Sequence, residues 1–258
     1  MTDSPSPTNF SDPRLKPLHQ EYGAYTSEDF QVWKILFERQ YKNLPGAASR
    51  KFLEGLGIIG FTAHRIANFA EANERLGAAT GWSIQVVPGL IDDDLFFGLL
   101  HQRRFPASTW LRSLEQLDYL QEPDMFHDAF AHLPLLTDPA YARFLQDLAG
   151  IALKHLDNPL AIDLLSRVYW YTIEFGLIRE AGQVKVYGAG ILSSAGETQF
   201  SLSDEPRHLQ YDVEEILNTP YWKNKFQERY FIIDSFEDLY TSIPLIEEKL
   251  GELLEKAG

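Results

Sequence analysis

The chain has 258 residues, a net charge of -14 and no cysteine, with 45% hydrophobic and 13% aromatic residues. That is enough apolar material for one substantial core, and the charge argues against a nucleic-acid binder, because phosphate contacts need a basic footprint. Disulfides and thiolate metal sites are excluded as well, so any bound metal must be held by His, Asp or Glu.

Residues 1–24, rich in Pro, Ser and Asp, read as an irregular N-terminal arm, and residues 25–258 as a single domain. The arm has no basic segment followed by an apolar run, and no stretch approaches the roughly 18 apolar residues of a membrane span. A cytoplasmic enzyme is the expectation. Ser27 ahead of Glu28 and Asp29 predicts a helix N-cap, followed by an amphipathic run with Phe30, Trp33, Ile35, Leu36 and Phe37. The helical pattern recurs at 46–56 and 63–76, with Gly55, Gly57 and Gly60 marking the breaks. The β-branched run at 82–87 predicts a strand ending at Pro88-Gly89. Helices are predicted at 92–103, 123–132, 139–156 and 159–179, strands at 184–187 and 231–233, and an acidic helix at 242–256. The class is mainly α with a few short β-strands.

Two segments carry the chemistry. In the first, between Pro123 and Pro134, His127 and His132 stand five residues apart. On an ideal helix that spacing puts them about 140° apart and about 7.5 Å along the axis, so both reach one metal only by leaning inward from a short or frayed helix. The bland reading is one exposed histidine and one hydrogen-bonded in the core. In the second segment, 168–178, the run is apolar almost all round and predicts a buried helix that contains Glu174. Its face would be shared with Trp170, Tyr171, Leu177 and Ile178. A carboxylate there is costly unless paired, protonated or bound to a cation, and the candidates are Arg167, Arg179 or a metal. Two imidazoles and one carboxylate form the facial triad of non-haem iron(II) oxygenases.

The combination of EPDMFHDAFAHLPLL (122–136), VYWYTIEFGLI (168–178) and YGAGILSS (187–194) resembles the pterin-dependent aromatic amino acid hydroxylases, with support from ATGWSIQVVPGLI (79–91) and RRFPASTWLRS (103–113). The similarity runs from about Tyr25 to residue 240. It implies a helical, basket-like catalytic domain that uses Fe(II), dioxygen and tetrahydrobiopterin to hydroxylate an aromatic amino acid. By the family pattern His127, His132 and Glu174 are the iron ligands, and Tyr169 and Pro123 lie close to the iron. Phe96 stacks on the pterin, with Ile91 and Asp128 lining the same pocket. Arg112 holds the substrate carboxylate, Asp124 fixes that arginine, and Trp170 and Ser193 line the substrate pocket. Two positions depart from the pattern: Asp128 stands where Glu is usual and Ala131 where Gly is usual.

No regulatory domain precedes the motifs and no sustained heptad pattern follows them, so a monomer is expected. The short architecture is similar to the bacterial members that act on phenylalanine. L-phenylalanine, converted to L-tyrosine, is therefore the expected substrate, with tyrosine and tryptophan as alternatives. Outside the family, the same ligands would suit a zinc-dependent hydrolase, and a relict site would suit a non-catalytic binding protein.

Overall fold

The computed structural model describes residues 18–118, 120, 122–223 and 225–257. Most of the predicted arm, residues 1–17, lies outside the described residues. Its end does not read as a loose tail: Gln20 Nε2 donates to Ala67 O at 2.7 Å, Phe69 N donates back to Gln20 Oε1 at 2.8 Å, and Tyr22 donates its hydroxyl to Ile66 O.

Helix α1, Ser27–Ala47, starts at a capping box built by Thr26, so the N-cap is one residue earlier than Ser27. Thr26 Oγ1 accepts from Asp29 N, and the Asp29 carboxylate accepts from Thr26 N. The helix runs through Pro45 to Ala47, so the second helix begins at Arg50 and not at residue 46. Helix α2, Arg50–Ile59, is capped by Ser49 and ends at Gly60, whose φ of 72° suits the left-handed cap. Gly55 is no break. It lies in mid-helix, where a Cβ would collide with Pro134 O, so α2 packs its bare backbone onto the turn after His132.

Helix α3, Phe69–Thr80, is followed by strand β1, Ser83–Val86, helix α4, Asp93–His101, and strand β2, Arg104–Ala107, which pairs in parallel with β1. The predicted helix at 123–132 is instead a π-helical turn, Phe126–His132. Helices α5, Pro139–Leu153, and α6, Pro159–Tyr169, have Asp138 and Asn158 as N-caps and Pro at the first turn.

The predicted helix at 159–179 is divided in three. After α6 comes a second π-helical turn, Trp170–Glu174, and then strand β3, Leu177–Glu180. Leu177 and Ile178 therefore do not share a helical face with Glu174. Strand β4, Gln183–Val186, forms a hairpin with β3. The short helices α7, Ala189–Leu192, and α8, Ala195–Ser201, precede β5, Arg207–Gln210, α9, Val213–Leu217, β6, Arg229–Ile233, α10, Phe236–Thr241, and α11, Ile243–Ala257. The second sheet has the order β4-β3-β6-β5.

The back of the first π-turn anchors the core. Phe126 and Phe130 stack at 4.6 Å, Trp33 and Phe37 of α1 meet them edge-on, and Phe52 of α2 meets Phe130. Aromatic edge-to-face contacts add to area burial here. Ala131 is fully buried in the same core. With its apolar side fixed against α1 and α2, the turn presents its histidines to the opposite side.

Candidate active site

The π-turn resolves the awkward histidine spacing. Its i→i+5 hydrogen-bond pattern brings residues five apart to roughly one turn apart, so both rings share a face. His127 Nε2 and His132 Nε2 lie 3.1 Å from each other, and Glu174 approaches at 3.6 Å from His127 Nε2 and 3.2 Å from His132 Nε2. The three ligand atoms all lie within 4.8 Å of one another. Neither arginine proposed as a partner for Glu174 reaches it: Arg167 pairs with Asp163 and Arg179 with Asp234.

Protonation favours a cation at this point. Burial, against the pull of Glu174, holds His127 down at about 4, so its ring is neutral at pH 7. Burial by itself would raise Glu174, yet His132, His127 and the Tyr169 hydroxyl bring it down to about 2, so it is a carboxylate. Burial first, then the Glu174 charge, pushes Tyr169 well above the ordinary phenol range, so it stays a neutral hydroxyl.

The tautomer of His127 follows from its neighbours. Ser193 Oγ donates to Ala189 O at 2.9 Å, leaving its lone pairs for His127 Nδ1, also at 2.9 Å. Nδ1 then carries the proton and Nε2 the free lone pair directed at the site. His132 has Phe105 against its ring at 4.7 Å, and its buried Nδ1 has no partner among the described residues. One carboxylate and two nitrogen donors converging without cysteine fit a divalent first-row ion such as iron(II).

Beside the triad, Asp124 is fully buried and holds Arg112, itself 9% exposed, by two side-chain bonds, Nε to Oδ2 at 2.8 Å and Nη2 to Oδ1 at 3.0 Å. Arg112 is thus no surface residue. Asp124 also accepts from the backbone N–H of Arg112 and of His127, linking the arginine to the metal-site turn. The Nη1 edge of the guanidinium has no hydrogen bond among the described residues. Pro123 is half-buried just ahead of Asp124, before the turn rather than in a helix.

The irregular segment from Ser108 to Ser113 is tied down along its length. Ser108 N donates to Asp128 Oδ2 at 2.7 Å, Met125 N to Trp110 O at 2.9 Å, Tyr25 to Thr109 O at 2.8 Å, and Leu114 N to Glu28 at 3.0 Å. Burial pushes Asp128 up to about 7, against the Ser108 N–H that stabilises its ionised form. Phe96 is half-buried on α4, edge-on to Tyr169 at 5.4 Å, and Ile91 packs on Val87, Leu95 and Leu99. Trp170 lies against Phe175 at 4.8 Å and stacks on Tyr221 at 4.5 Å. Phe175, Ser108, Phe105 and Tyr221 are the residues that sequence reasoning missed. None of the four stands out by composition or spacing, and Tyr221 sits in a segment without periodicity.

A family model described as biopterin-dependent aromatic amino acid hydroxylase matches residues 20–251. The phenylalanine-4-hydroxylase of Chromobacterium violaceum is 47% identical over 226 residues, covering 86% of this chain and 75% of the relative. The phenylalanine-4-hydroxylase of Ralstonia nicotianae is 46% identical, covering 87% and 71%. A crystal structure of the C. violaceum enzyme with bound iron(III) and oxidised cofactor 7,8-dihydrobiopterin superimposes with a TM-score of 0.87, at 46% identity, over 93% of this chain and 86% of that one. With the converging His-His-Glu donors in place, these similarities identify the chain as a member of the family of biopterin-dependent aromatic amino acid hydroxylases.

Proposed function

We propose that the protein is a phenylalanine 4-monooxygenase, hydroxylating L-phenylalanine to L-tyrosine with dioxygen and a tetrahydropterin. The observation that carries this reading is the convergence of His132, neutral His127 and ionised Glu174 on one point, with Ser193 fixing the His127 tautomer. When bound there, iron(II) supplies the activation of dioxygen that, with the tetrahydropterin, lets an oxygen atom reach the para carbon of the ring. Three protein ligands leave coordination positions free for that chemistry.

The remaining steps belong to the chain's own side chains. Arg112, held rigid by Asp124, takes the substrate carboxylate on its free Nη1 edge, which fixes one end of the amino acid. Trp170, backed by Phe175 and Tyr221, forms an apolar wall for the ring. Phe96 and Ile91 offer apolar surface to the pterin, and Asp128 a carboxyl held in place by Ser108 N. Tyr169 keeps its proton, and its neutral hydroxyl favours the ionised form of Glu174. Pro123 keeps the backbone ahead of Asp124 stiff. The aromatic walls exclude water from the reacting centre.

We read residues 25–258 as the catalytic domain of a cytoplasmic monomer. In support, none of the helices among the described residues is long and apolar enough to cross a membrane, and the net charge of -14 disfavours nucleic acid as a partner.

The test is an assay of anaerobically iron-loaded protein with phenylalanine, tyrosine or tryptophan, each with and without tetrahydropterin. Tyrosine formation from phenylalanine that depends on both iron and pterin is expected. Hydrolytic activity with zinc and no pterin requirement would overturn the assignment.

A further inference from the structure

Tyr221 lies in the irregular segment between α9 and β6, yet that segment is held at both feet. On the α9 side, Arg167 Nη1 donates to Leu217 O and the Tyr171 hydroxyl to Pro220 O, each at 2.8 Å. On the β6 side, the Gln227 side chain donates to Trp222 O at 2.7 Å and Lys225 O at 3.3 Å, closing the loop on itself. The Gln227 backbone N–H donates to Glu197 Oε1 at 3.4 Å, and the Tyr230 hydroxyl reaches the same oxygen at 2.8 Å.

Glu197 is 7% exposed, on α8, and takes no part in the chemistry described above. Tyr230 is its titratable neighbour. Arg229 and Lys225 act elsewhere: Lys225 pairs with Glu228, and Arg229 acts on Tyr171 and Glu228. Burial, against the Tyr230 and Gln227 donors, pushes Glu197 up to about 7. A carboxyl buried without a cation is retained at a cost, and its two accepted bonds are its visible return.

Trp170 depends on packing for its position, because its buried Nε1 has no partner among the described residues. One ring face is covered by Tyr221, stacked at 4.5 Å and 23°. Whatever holds Tyr221 therefore holds the tryptophan. We propose that Glu197 is a positioning residue for the substrate-ring pocket, holding Trp222 through Gln227 and Tyr230 and so keeping the adjacent Tyr221 against Trp170. The proposal rests on the reading of Trp170 as a wall of the amino acid pocket.

Glu197→Ala, Glu197→Gln, Tyr221→Ala and the Glu197→Ala/Tyr221→Ala double variant test it by two readouts. The first is steady-state kinetics with phenylalanine. Glu197→Ala and Tyr221→Ala should each raise KM about two- to tenfold, the range of one aromatic contact, with a smaller change in kcat. The double variant should be no worse than the poorer single one. Glu197→Gln keeps a neutral acceptor oxygen and should restore the KM lost in Glu197→Ala. The second readout needs no turnover: hydrogen exchange in the peptide spanning 218–228 of the metal-free protein should quicken in Glu197→Ala and not in Glu197→Gln.

Additive KM effects, or unchanged exchange in Glu197→Ala, overturn the proposal. Should Glu197→Ala fail to fold, Tyr230→Phe removes one of the two donors and carries the same comparison. Wild-type protein that makes no tyrosine would refute the functional reading instead, while the exchange measurement still decides whether Glu197 anchors the segment.

Discussion

His127 and His132 stand one π-turn apart, which brings their Nε2 atoms to 3.1 Å and aims both at the Glu174 carboxylate. Removing either side of this arrangement removes the metal site. His127→Ala or Glu174→Ala is expected to abolish iron loading and tyrosine formation together, measured as metal per chain and product per chain on the same sample. Ser193→Ala leaves all three ligands in place but releases the His127 tautomer. A loss of about 10- to 100-fold in metal affinity is expected, read by competition with a chelator. Unchanged affinity would show that Ser193 does not orient the ring.

Arg112 is the bidentate partner of a fully buried aspartate, so lysine is not a conservative replacement. Arg112→Lys loses the fork on Asp124 and the free edge proposed to take the substrate carboxylate. KM for phenylalanine should rise about 10- to 100-fold, with a smaller change in kcat, consistent with hydrogen bonds to charged groups. An equal fall in kcat with unchanged KM would place Arg112 in the chemical step instead.

The raised Glu197 gives stability a distinct pH dependence. Between its ordinary value of 4.5 and about 7, the folded protein holds a proton that the unfolded chain has released. The stabilisation is complete below 4.5 and is lost as pH rises through 7, by on the order of 3 kcal/mol. Glu197→Gln removes this contribution. The difference in denaturant stability between wild type and variant should therefore move against the wild type from pH 4.5 to pH 7.5. Parallel stability curves would contradict the burial argument.

The β3–β4 hairpin turns through Ala181 at φ 48° and Gly182 at φ 78°. Both central positions of such a turn need positive φ, which costs an alanine about 1 kcal/mol and suits asparagine better. Ala181→Asn should raise Tm by about 2–4 °C by calorimetry, without affecting turnover. A lower Tm would mean that the alanine is relaxed there.

Much of the site is legible in the sequence because it is local. The spans 122–136 and 168–178 contain the ligands, the Arg112 partner and Trp170, and the absence of cysteine restricts the donors to nitrogen and oxygen. Helices α5 and α6 are likewise announced by local caps at Asp138 and Asn158 followed by proline. Periodicity failed where the backbone departs from 3.6 residues per turn. The local pattern predicts α-helix at both π-turns and carries the second on into β3, because an apolar run of that kind suits a buried helix and a buried strand equally.

By itself, then, the sequence determines the donor types, the order of the motifs and hence the family. Only the tertiary structure decides that Glu174 meets the histidines and not Arg167 or Arg179, since that contact joins segments more than 40 residues apart. It also decides the His127 tautomer through Ser193, the sharing of Asp124 between Arg112 and the His127 backbone, and the stacking of Tyr221 on Trp170. The His127–Ser193 and Trp170–Tyr221 contacts join elements distant in the chain, where hydrogen-bond geometry and close packing, rather than local propensity, select the partner.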